Sequence, residues 1–83
     1  MQLGMVVKSR AGHDKNGWFV VVGLEGEFVL IADGKRRPLI RPKRKKQKHL
    51  AVTNTVLEPS AYETDRALRQ QLWVFNTPTA KEG

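Results

Sequence analysis

The sequence predicts a mainly β domain: a small five-stranded barrel with one C-terminal α-helix packed on it. Three observations carry this. Asn16-Gly17, Glu25-Gly26 and Asp33-Gly34 recur every eight or nine residues, and Asn-Gly and Asp-Gly are strong short hairpin signals, because tight hairpin turns need positive φ. The runs between these dipeptides are rich in β-branched and aromatic residues, as strands are. In the run at 18–22, Phe19 and Val21 point to one face and Trp18, Val20 and Val22 to the other. Both faces are apolar, so one must line an interior and the other must be covered.

The first three strands are expected at residues 5–7, 18–22 and 28–32, a fourth at 36–40 and a fifth at 49–52. Pro38 and Pro42 bracket Leu39-Ile40-Arg41 and confine that strand to an edge or end it, leaving the following basic stretch as a projecting, unpaired turn. The cover is sought in the helix. Ser60 and Glu63 have capping-box spacing behind Pro59, and Ala61, Thr64, Leu68, Leu72 and Phe75 then form one apolar stripe. The organisation is therefore a barrel over residues 1–57, a helix over 58–76 and a loose polar tail over 77–83.

Charge is distributed unevenly. Residues 35–49, KRRPLIRPKRKKQKH, hold nine of the fifteen Lys and Arg and no acid. The other six basic residues and all eight acidic ones leave the rest of the chain at −2. A +9 segment that contains no acid describes a surface for a polyanion. The alternatives are a solvated charged loop, a nuclear address signal and an anionic membrane surface. The helix argues against the membrane, because Arg66 and Arg69 are offset by Glu63 and Asp65 and no cationic face results. No stretch approaches the roughly 20 apolar residues of a bilayer span, and the start of the chain does not read as a secretory signal.

The loop over residues 9–16 offers a second contact surface. Ser9, Ala11 and Gly12 are small enough for a phosphate to approach the backbone, with Lys8, Arg10 and Lys15 to hold it. His13 at the tip can stack on an unpaired base. Asp14 is expected to accept backbone N–H bonds within the loop rather than to act as a catalytic acid. Trp18 either stacks a base or packs under the helix, and Trp73, off the stripe, is either a second core anchor or an exposed interaction residue. Cysteine is absent, which excludes disulfides and thiolate chemistry and suits a cytoplasmic location. No nucleophile–base set, phosphate-cradling glycine loop or metal-ligand spacing is present, so neither an enzyme nor a cofactor is expected.

The string GMVVKSRAGHDKNG at 4–17, followed by FVVV at 19–22, resembles a KOW motif, in which Gly12, Asp14 and Gly17 fit the loop. ADG at 32–34 and PKRKKQKHL at 42–50 extend the likeness. Residues 3–55 are similar to bacterial KOW-domain RNA-binding proteins related to a single-KOW large-subunit ribosomal protein of archaea and eukaryotes. The resemblance implies an SH3-like barrel that binds RNA, ribosomal RNA above all, in a translation-linked context. Arg36, Arg37, Arg41, Lys43, Arg44, Lys45, Lys46, Lys48 and His49 are then expected to grip phosphates, with Lys8, Arg10, His13 and Lys15 as a second rim. A monomer is expected. The alternatives are a protein-interaction module of KOW type, using Trp73 or the barrel edge, and duplex DNA binding.

Overall fold

The protein, represented by a computed structural model, is described over residues 1–76; the tail expected at 77–83 lies outside the described residues. Five strands, β1 (Met5–Ser9), β2 (Trp18–Glu25), β3 (Phe28–Ala32), β4 (Lys43–Lys46) and β5 (Leu50–Val56), precede one helix, α1 (Asp65–Asn76). All the pairings are antiparallel. The strand order is β4-β3-β2-β1-β5: the chain meanders through four strands and returns β5 to the far side of β1. β4 and β5 are thus the sheet edges, joined through a single 3₁₀ turn, Gln47–His49. Among the described residues no ladder pairs them. The fold is mainly β with one C-terminal helix, as expected.

The alternation in β2 sorts the core into two layers. Phe19 and Val21 join Val7, Val29, Ile31 and Leu50 in one cluster. It draws on four strands, so the sheet curls around it. Val20 joins Val6, Ala32, Leu68 and Leu72 on the opposite face, with Trp18, Val22, Tyr62 and Phe75 packed against them. Here α1 supplies the required cover, and Trp18 lies beneath it with its ring 5.1 Å from that of Phe75. Fully burying each of Leu68 and Leu72 contributes about 1.5–3 kcal/mol. No described helix is long and apolar enough to cross a membrane.

Glu25 pairs with Phe28, so Gly26 and Glu27 form a two-residue hairpin loop. Only Gly26 has positive φ (64°), the pattern of a type II′ turn. Asn16-Gly17 closes no such hairpin. It ends an eight-residue connection between β1 and β2 that contains the 3₁₀ turn Gly12–Asp14.

Three expectations are corrected. Residues 36–40 form no strand. Asp33 Oδ1 accepts the N–H groups of Lys35 and Arg37 at 2.8 and 2.9 Å, which folds the chain into a turn, and Arg41 N–H donates to the Pro38 carbonyl at 2.9 Å. The fourth strand instead lies within the basic stretch, so that stretch is a paired edge strand rather than a projecting turn. The cap also moves. Residues Pro59–Tyr62 form a 3₁₀ turn with no side-chain cap, and Thr64 Oγ1 accepts the Ala67 N–H at 3.0 Å at the start of α1.

Candidate nucleic-acid interface

The β3–β4 register decides where the basic side chains go. Lys43 and Lys45 oppose Ile31 and Val29, whose side chains face the core, whereas Arg44 and Lys46 oppose Leu30 and Phe28 on the outer face. Lys45 is accordingly buried, 9% exposed. Its stem runs along the core edge, and its ammonium reaches the Ala11 carbonyl at 2.8 Å and Asp14 Oδ2 at 3.8 Å. Arg44 lies outside, its guanidinium carbon 3.8 Å from the Phe28 ring centroid and its Nε donating to Glu25 Oε1 at 3.2 Å. Lys46 approaches the same ring at 5.8 Å.

Asp14 is the centre of this region. It is buried, and its carboxylate accepts from Arg37 Nη2 at 3.0 Å and Nε at 3.4 Å. Its partners are therefore a guanidinium and an ammonium, not the loop N–H groups expected; Asp33 takes that turn-forming role in the next loop. Burial by itself raises the Asp14 carboxyl. The Arg37 hydrogen bond and the charges of Arg37, Lys45 and Lys43 outweigh it and hold the carboxyl below its ordinary range. The β1–β2 loop is thereby fastened to β4 and to the 33–42 connection.

That connection is itself anchored on the helix. Asp65 Oδ1 accepts the Leu39 N–H at 2.8 Å, and Arg69 Nη1 donates to the Gly34 carbonyl at 2.7 Å. Gly34 has φ 79°, and a Cβ there would stand 2.5 Å from the Asp65 carbonyl oxygen, so glycine is required. Arg36 projects from this fixed turn, with Nη1 3.5 Å from the His13 carbonyl.

The predicted site residues thus separate. Arg37 and Lys45 are structural, engaged by Asp14, and Arg44 is engaged by Glu25. Within residues 35–49, Lys35, Arg36, Arg41, Lys43, Lys46 and Lys48 have no ion pair within 4.0 Å among the described residues. The loop brings Arg10, His13 and Lys15, all exposed, to the same region: Arg10 N–H donates to the His49 carbonyl at 2.8 Å. Lys8 is drawn elsewhere, its ammonium 5.3 Å from the Trp18 ring centroid. Acids absent from the linear segment do reach it in space. The loop position of Asp14, between Gly12 and Gly17 and beside Lys15, was its only signal in the sequence, and nothing there marked Glu25 as a partner. No protein-family model matches the chain, and no curated protein matches it.

Proposed function

We propose that the protein binds structured RNA through the β4 edge, the 33–42 connection and the β1–β2 loop, in a ribosome-associated, translation-linked setting. The observation that carries this reading is the set of six cations on residues 35–49 left without an ion pair, among the described residues, after Asp14 and Glu25 have taken their partners. Lys43 and Lys46 stand on a paired strand, Lys48 on the 3₁₀ turn that follows it, and Lys35, Arg36 and Arg41 on the connection pinned by Asp33, Asp65 and Arg69, so they are presented from ordered backbone rather than on a free tail. An array of this kind grips phosphate and releases counterions. The KOW-like strings at 4–17 and 42–50 support RNA over DNA.

If each of the six meets a phosphate, affinity falls with salt with a log–log slope of about −4 to −5.5. Replacing Arg41, Lys43, Lys46 and Lys48 by Ala, with Lys45 retained, reduces the slope by about 3 and leaves the circular dichroism spectrum intact. An unchanged slope refutes the assignment. Cross-linking in cells followed by sequencing of bound RNA identifies the locus, and recovery of ribosomal RNA at one position is the expected result. The second reading, a protein-interaction module, has the exposed β5 edge in its favour, with Val52 59% exposed. It predicts a partner retained at high salt.

A further inference from the structure

A groove of about 530 Å³ opens where three elements meet: the loop from Asp14 into β2, the turn at 33–36 and the C-terminal half of α1. Its volume is that of a small-ligand site. Phe19 and Leu72, each 2% exposed, contribute to its apolar lining. Lys15, Lys35, Arg36 and Arg69 also line it, against two carboxylates that are both engaged: Asp14 by Arg37 and Lys45, Asp33 by backbone N–H groups. Trp73, 64% exposed, stands among the lining residues with Asn16 and with Asn76, whose Nδ2 donates to the Leu72 carbonyl at 3.1 Å. A large aromatic face, amide donors and acceptors, and flanking cations together suit an unpaired base and its phosphates.

The groove also adjoins the basic edge. Arg36 lines it and reaches the His13 carbonyl, while Asp14, another lining residue, holds Lys45 of β4. The β1–β2 loop thus lies between β4 and the groove. We propose that this groove seats one unpaired nucleotide of the bound RNA, its base against Trp73 and its phosphates on Lys15 and Arg36. The inference rests on the RNA-binding reading and adds to it a preference for RNA with an extruded base.

The test compares two RNA hairpins of equal length, one fully paired and one carrying a single unpaired adenine in mid-stem. The full chain is expected to bind the bulged RNA about tenfold more tightly, the scale of one base–aromatic stack. Trp73→Ala removes the preference and leaves affinity for the paired hairpin unchanged, while Trp73→Phe retains most of it. Lys15→Ala, at an exposed loop position outside α1, lowers the preference too, so the outcome does not depend on how the Trp73 variant folds. Salt-dependent binding to both hairpins without preference overturns the groove proposal and leaves the RNA reading standing, as does a preference that survives Trp73→Ala. Failure to bind either hairpin removes both.

Discussion

Replacing Asp14 by Asn tests whether the loop, the basic strand and the 33–42 connection are held together by one buried charge. Asn keeps the volume but leaves two cations without their anion. Removing one partner of a buried pair costs about 3–5 kcal/mol when the remaining charge cannot reach water. Here the Arg37 side chain is 30% exposed and can rehydrate, whereas Lys45 at 9% keeps only its bond to the Ala11 carbonyl. The expected loss is therefore lower, about 2–3 kcal/mol, or a fall in Tm of about 10–20 °C for a domain of this size. Urea unfolding followed by circular dichroism measures it at pH 7. The pH dependence supplies an independent check. The folded Asp14 pKa is depressed, so its stabilisation is complete above about pH 5 and disappears as pH falls through about 3.9 toward the lower folded value. The wild type loses this contribution on acidification and the Asn variant has none to lose, so the gap between them closes at low pH. A loss below about 0.5 kcal/mol at pH 7, or a gap that does not narrow as pH falls below about 3.9, refutes the reasoning.

Three further substitutions test the local geometry. Thr64→Ala removes the observed helix cap and costs about 1 kcal/mol, whereas Ser60→Ala, in the uncapped 3₁₀ turn, changes stability by less than about 0.5 kcal/mol; equal effects at the two sites contradict the placement of the cap. Gly34→Ala imposes a left-handed backbone on alanine and drives its Cβ against the Asp65 carbonyl, for a loss of about 2–4 kcal/mol. A loss under about 1 kcal/mol in the same urea titration shows that the turn and the helix start are free to separate.

What the sequence disclosed about the fold was periodic, and what it concealed was relational. The alternation from Trp18 to Val22 assigned each side chain to its layer, and two apolar faces required the cover that Leu68 and Leu72 supply. The β4 strand had no such signal. Lys-Arg-Lys-Lys has neither apolar alternation nor high strand propensity, and it is a strand because β3 offers a free edge and Lys45 lays its stem on the core. Leu39 and Ile40 looked more strand-like, yet they follow a proline and lie in a chain bent by Asp33. The site was equally divided. The clustering of basic charge was plain in residues 35–49, but which cations remain without an ion pair depends on Asp14 and Glu25, distant in sequence from the residues they bind. Ser60 and Thr64 are both acceptable caps in sequence, and only the 3₁₀ turn at Pro59–Tyr62 decides between them.

A basic edge strand has another physical use, which bears on how the charge array is weighed. Lysines on a sheet edge discourage pairing with a second molecule, so Lys43 and Lys46 could serve solubility alone. Two features count against that as the whole explanation. Edge protection needs a charge or two on the strand, whereas the cations without an ion pair among the described residues extend beyond β4 to Lys35, Arg36, Arg41 and Lys48, where there is no ladder to guard. The opposite edge, moreover, is left without such charges: β5 carries no Lys or Arg, and Val52 and Val56 are exposed along it. A chain selected only to keep its edges apart would have distributed its cations between the two. Concentrating them on one edge, and fixing the adjoining turn through Asp33, Asp65 and Arg69, is what the proposed phosphate contact would use and edge protection would not. The salt slope of the Arg41, Lys43, Lys46 and Lys48 variant separates the two uses, since edge protection alone predicts association of the variant with itself and no change in its binding of RNA.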